Sequence, residues 1–172
     1  MSNAAALFEA LQSSGERLFA AIAAFPESDF ERAPAPEKWS AAYIVEHLVR
    51  SEAGILHIMK GPVEPPADRP PMEKVDLVEA TFARTDRNYS AQGPIVPKGN
   101  RGGKADLLQA MRDARAGTVE ALQTLPPDEI VASFEHFFFG KLSRREWAWF
   151  NVHHGNRHLV QMEGLKVKFA GE

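Results

Sequence analysis

Three of the chain's six histidines lie within "NVHHGNRHLVQM", residues 151–162. His154 and His158 stand four apart. On a helix that spacing is one turn, so both rings project from nearly the same face with room for one ion between them. His153 points about a hundred degrees away. A third candidate is His47 in "WSAAYIVEHLVRSE", which shares an apolar helix face with Ile44, Leu48 and Ser51. Two imidazoles at one-turn spacing and a third from a facing helix make three neutral nitrogen donors, the ligand set of an open catalytic metal site in which water or substrate fills the remaining positions. Three imidazoles suit zinc, nickel, copper and iron, with zinc or nickel the expected ion.

Spacing alone leaves blander readings open. Histidines at i and i+4 are common on polar helix surfaces, and a single histidine on an apolar face, such as His47, is commonly a hydrogen-bonded core residue. The pair is not the HExxH of a metalloprotease either, because Gly155 stands where that motif has its general base.

Around these three lie secondary candidates. Glu46 adjoins His47 but faces another way; it suits a solvated charge better than an acceptor for an imidazole N–H. Gln161, close to one turn beyond His158, could orient a ligand or a bound water. Arg157 could meet an anionic substrate, although a surface arginine is the simpler reading. His136, before the last helix, could approach a pocket rim or pack among its phenylalanines. His57 falls almost three turns from His47, too far to share an ion. "PKGNRGGK" is basic and glycine-rich but lacks the spacing and the preceding strand of a phosphate loop.

Four long helical patterns must position these residues. The first covers 4–25, with Leu7, Leu11, Leu18 and Ile22 at helical intervals, and Pro26 ends it. The second follows a Ser40 cap, carries Ile44, Leu48, Ile55 and Ile58 on one face, and stops at Gly61-Pro62. The third covers 105–125. The fourth starts at a Ser143/Glu146 capping box and runs over 143–165. Between the second and third lies segment 61–104, rich in proline and glycine at both ends, with a short helix expected over 74–87. So long a connection in a compact domain usually has a functional reason. No segment sustains a period of two. The expectation is therefore an all-α, single-domain four-helix bundle over 1–172 with a long crossover between the second and third helices. Ala148, Val152, Leu159 and Met162 form a second apolar stripe on the last helix, which calls for two packing partners: a central place in the monomer or a dimer interface.

The 172 residues contain no cysteine, which removes disulfides, thiolate ligands and a cysteine nucleophile. A formal net charge of -3 gives no electrostatic footprint for nucleic acid or an anionic membrane. No apolar run is long enough to span a bilayer, and the opening residues do not follow a secretion-signal plan, so the expected location is cytoplasmic and the expected partner a small molecule.

The pairing of "WSAAYIVEHLVRSE" with "REWAWFNVHHGNRHLVQM" resembles the DinB-like superfamily, which includes the YfiT-like proteins regarded as metal-dependent enzymes. The likeness covers nearly the whole chain: Trp39 precedes the second helix as in the family pattern, and "HFFFGKLSRREW" is similar to its approach to the last helix. The resemblance implies an up-down-down-up bundle and a divalent metal on one histidine of the second helix and an HxxxH pair of the last, here His47, His154 and His158. It also implies, from characterised relatives, a transferase or isomerase using a thiol such as bacillithiol, mycothiol or glutathione, and often a homodimer. Lacking cysteine, this chain would take any thiolate from the cosubstrate. A hydrolase using metal-activated water, and a non-catalytic metal-binding stress-response protein, are the alternatives.

Overall fold

A computed structural model describes residues 3–66, 68–84 and 90–171. Its elements are α1 (Asn3–Ala23), α2 (Glu27–Phe30), α3 (Ala41–Met59), β1 (Val63–Glu64), α4 (Val75–Ala83), α5 (Lys104–Thr124), β2 (Ile130–Val131) and α6 (Arg144–Ala170), with a 3-10 turn at Gly93–Ile95. The capping chemistry read from the sequence sets two of the starts. Ser40 Oγ accepts from Tyr43 N at 3.2 Å. At α6, Ser143 Oγ accepts from Glu146 N at 3.2 Å while the Glu146 carboxylate accepts from Ser143 N at 2.9 Å. The last helix outruns its expected end by five residues, because Leu165 and Phe169 still have core to bury against. The short helix ends earlier than expected, at Ala83; residues 85–87 of that expectation lie outside the described residues.

Cross-helix bonds give the directions. Arg115 on α5 donates to Leu11 O and Ser14 Oγ of α1 while Lys104 reaches Phe25 O, so α1 and α5 run antiparallel. Arg144 at the start of α6 donates to Met59 O at the end of α3, and His154 meets His47, so α3 and α6 are antiparallel too. Arg17 of α1 pairs with Asn156 of α6, and Arg115 with Glu52 of α3, in parallel registers. The order is up-down-down-up, with α1 and α3 diagonal across the bundle.

The core is divided by a polar layer. One apolar half contains Leu7, Leu11, Ile55, Met59, Ala121 and Trp147; the other contains Leu18, Ile22, Leu48, Met111, Met162 and Phe169. Between them, one turn of each long helix contributes buried polar groups: Ser14, Glu52, Arg115 with Thr118, and Asn151. Arg115 and Glu52 form a two-pronged ion pair at 2.5 and 2.9 Å. Gly155 faces this layer, where a Cβ on it would lie 3.4 Å from Arg115 Nη2.

The described residues of segment 61–104 form a wall. It begins with β1, paired antiparallel with β2 through Val63 opposite Val131, a two-residue ladder too short to show as a period of two. Arg69 then clamps Glu146 at 2.5 and 2.7 Å. After that, α4 packs on α6 and the 3-10 turn packs on α3, covering the side of the bundle where the histidines lie. The second stripe of α6 is spent inside the monomer: Ala148, Val152 and Met162 are buried and Leu159 half-buried. Among the described residues no helix is long and apolar enough to cross a membrane.

Candidate metal centre

The structure brings His47, His154 and His158 together. All three are buried, and one ligand atom from each lies within 4.8 Å of the others. The Nε2 of His154 is 3.1 Å from that of His47 and 3.0 Å from that of His158. Two nitrogens on one ion, at bonds of roughly 2.0–2.1 Å, are separated by about 3.0–3.4 Å. The spacing therefore fits adjacent corners of one coordination sphere.

The outer nitrogens fix the protons. His47 Nδ1 lies 2.9 Å from Ile95 O, a group that can only accept, so this nitrogen donates and Nε2 is a bare lone pair. His158 Nδ1 likewise faces Gln161 Oε1 at 2.7 Å. A single proton on His154 Nε2 could not serve both bare neighbours well, whereas a cation would satisfy all three. His154 Nδ1 is buried with no hydrogen-bond partner. Burial lowers the pKa of each ring: His158 falls to about 3, through desolvation and then the neighbouring His47, and His154 falls well below its ordinary value, through desolvation and then His158 and His47. His47 is lowered by desolvation against the opposing bond to Ile95. Protons therefore compete weakly with a metal for these nitrogens.

Two sequence expectations are corrected. Glu46 is not a solvated charge: it is 2% exposed, and its carboxylate accepts from Lys98 N at 3.0 Å, Gly99 N at 2.7 Å and Arg50 Nε at 2.8 Å. Nor does it bind an imidazole. The glycine-rich "PKGNRGGK" stretch uses its N–H groups on the protein's own anion, with Gly99 at φ 67, a backbone conformation that side-chain-bearing residues rarely adopt, and with a Cβ there coming within 3.1 Å of Tyr43. Burial pushes the Glu46 carboxyl up, but these N–H groups and Arg50 outweigh it and hold it below its ordinary value. Arg157 is not a surface arginine either; it is buried and donates to the carbonyls of Phe82 and Arg84.

The other candidates divide. Gln161 holds His158, and His136 lines the same cavity as the three histidines. His57 is exposed on α3, away from the site. His153 stacks on Trp149 at 5.6 Å and stays outside the cluster. Sequence reasoning missed the Ile95 carbonyl, which has no side-chain signature, and Phe82, whose ring lies 5.1 Å from that of His154. Trp39 covers His47 at 5.0 Å. The cavity in front of the cluster has a volume of about 670 Å³. Its walls combine aromatic rings, Trp39, Phe82, Phe138 and Phe150 among them, with the charged Glu37, Lys38 and Arg157, and Phe150 lies beside His154 at 5.3 Å.

Comparison with known proteins agrees with this architecture. The chain is 24% identical over 137 residues to the uncharacterized protein YuaE of Bacillus subtilis (strain 168), covering 78% of this chain and 82% of that protein. Its fold is similar to the crystal structure of TT2238, described as a four-helix bundle protein, with a TM-score of 0.57 and 16% identity over 92% of this chain and 96% of the other. The model of the DinB superfamily matches residues 10–162, which takes in α3, α5, most of α1 and α6 and all three clustered histidines, and the chain belongs to that superfamily.

Proposed function

We propose that the protein is a metal-dependent enzyme, a transferase that joins a low-molecular-weight thiol of the bacillithiol, mycothiol or glutathione kind to a small electrophile, with His47, His154 and His158 holding one zinc or nickel ion. The observation that carries this reading is the convergence of three uncharged Nε2 atoms on the wall of a cavity of about 670 Å³. A structural metal site is closed by a fourth protein ligand. Among the described residues no carboxylate or further histidine joins the three, which favours an open site over a structural one. A divalent ion held there would lower the pKa of a thiol or water and polarise an electrophile.

The choice between sulfur and water rests on the surroundings of the cluster, where among the described residues no carboxylate joins the three histidines. Glu46, the carboxylate next to a cluster histidine in sequence, is committed to Lys98, Gly99 and Arg50. A thiol, with an ordinary pKa of about 8.5, needs a far smaller push than water to become a nucleophile at neutral pH. With no cysteine in the chain, the sulfur comes from the cosubstrate. The reducing cytoplasm, where such thiols are kept, is the compartment this reading requires. A homodimer, the assembly the resemblance implies, belongs to the same proposal and is read by sedimentation.

The test uses cobalt-substituted protein. One of the three thiols should introduce sulfur-to-cobalt charge-transfer bands that its hydroxyl analogue does not, and that thiol should then be consumed with a halogenated or epoxide electrophile. Metal-dependent hydrolysis of small esters, amides or lactones, with no thiol altering the spectrum, would replace the transferase by a hydrolase.

A further inference from the structure

His136 has its own geometry within the cavity. It sits in a tight hairpin closed by His136 N to Gly140 O at 3.0 Å and Gly140 N to His136 O at 2.7 Å, with Gly140 at φ 68. Lys74 holds that hairpin by donating to Phe139 O at 2.6 Å and Lys141 O at 3.0 Å. The ring Nδ1 accepts from Phe138 N at 3.1 Å and from Phe139 N at 3.4 Å. A nitrogen facing two N–H donors must be the bare one, so the proton of the neutral ring is confined to Nε2. Rotation of the ring is blocked as well. Phe137 and Phe139 stack on it at 4.8 and 4.6 Å, and Phe150 contacts it at 5.5 Å. Desolvation keeps the ring neutral, with a pKa of about 4. No group among the described residues is bonded to Nε2.

We infer that His136 is a substrate-binding residue, a fixed Nε2–H donor in the cavity wall for a carbonyl or carboxylate oxygen on the aromatic end of a ligand whose other end meets the three-histidine cluster. Phe150 marks the distance between the two ends, since its ring touches both His136 and His154. The walls supply the rest of the specificity. Trp39, Phe82, Phe138 and Phe150 line the cavity and offer flat apolar surfaces to the body of such a ligand. The position of the ligand's far end rests on the proposed function; the donor does not, because its proton is fixed by the hairpin.

A histidine that merely caps its own hairpin would show the same Nδ1 bonds, so the experiment separates capping from ligand binding. His136→Asn retains an oxygen able to accept from Phe138 N but withdraws the distal donor. The zinc-loaded wild type and variant are titrated calorimetrically with benzohydroxamate and with its para-acetyl derivative, which adds one acceptor at the far end of the ring. The acetyl compound should bind the wild type roughly tenfold more tightly than the parent, the worth of one buried hydrogen bond, and the variant with no such advantage. An advantage that is absent in the wild type, or that survives in His136→Asn, overturns the proposal.

Nitrogen-15 spectra of histidine-labelled wild type give a second readout that needs neither variant nor metal: His136 should show a protonated Nε2 and a bare Nδ1, and the opposite pattern also overturns it. Zinc uptake, measured beforehand, reports on the metal reading separately. If no zinc binds, acetophenone titrated into the metal-free wild type and variant supplies the same comparison, and equal binding to both again overturns the role of His136.

Discussion

An imidazole becomes a good ligand when one nitrogen is bare and the ring cannot turn, and His47 reaches that state through its neighbours. Glu46 binds the N–H groups of Lys98 and Gly99, which pins the segment leading out of the 3-10 turn, and that turn supplies the Ile95 carbonyl to His47 Nδ1. Glu46 is thus a positioning residue acting through a loop. Elemental analysis should find close to one divalent ion per chain, most of it gone in His47→Ala and in His154→Ala. His153→Ala should retain it. Glu46→Gln should still bind one ion at saturation but roughly tenfold more weakly, as for the loss of other outer-sphere partners. Full metal content in both histidine variants would remove the site. The depressed pKa values add a pH dependence. From their ordinary 6.5, His136 is lowered to about 4 and His158 to about 3, so below pH 6.5 the unfolded chain takes protons that the folded chain refuses. Their share of stability is intact above pH 6.5 and declines as pH falls towards those values. Urea midpoints of the metal-free protein should therefore drop between pH 7.5 and 5, and His136→Asn should flatten that slope by about one proton. A midpoint independent of pH would mean that these rings are not buried neutral.

Each long helix carries a polar turn at the same level, and the bundle depends on how those turns meet. Arg115 is shared by three helices, bonded to Leu11 O and Ser14 Oγ of α1 and to Glu52 of α3. Removing one member of such a pair leaves the other buried and unmatched, a cost of roughly 3–5 kcal/mol. Arg115→Ala should lower stability by about that amount in urea unfolding, whereas the joint change Arg115→Met with Glu52→Leu should recover much of it. Equal losses in both would assign the effect to packing instead of to the stranded charge. This layer was not legible in the sequence. Glu52 and Arg115 read as ordinary charges on amphipathic helices, because burial of a charge depends on what three other helices place opposite it. The helices themselves were legible: Leu7, Leu11, Leu18 and Ile22 repeat at helical intervals and are all buried, and Ser40 and Ser143 mark real starts. Legible too was the shared face of His154 and His158, since four residues make one turn wherever the helix lies. Glu46 and Arg157 were misread because the groups that bury them are largely backbone groups distant in sequence, the N–H groups of Lys98 and Gly99 and the carbonyls of Phe82 and Arg84 at the end of α4, on which side-chain types are silent.

At the scale of the molecule, the three histidines tie α3 to α6, while each apolar half of the core is assembled from the long helices without them. Two consequences follow for a chain that loses its metal. It should remain folded, because neither apolar cluster includes the histidines, in contrast to a zinc finger, which has no core without its ion. It should also be less stable, since an ion bound to the folded state alone adds about 4 kcal/mol at a thousandfold excess over its Kd. For a chain of this length that corresponds to a fall in Tm of about 10 °C on chelation. Calorimetry should thus show one cooperative transition with and without chelator, the second lower by that order, and restored by zinc or nickel. His154→Ala should melt where the chelated protein does and should not respond to added metal, while His153→Ala should still respond as the wild type does. Complete unfolding on chelation would point to a structural ion and favour the non-catalytic reading. An unchanged Tm under conditions where elemental analysis confirms removal would mean that the cluster gains nothing from a metal, and the thiol chemistry proposed for the cavity would lose its foundation.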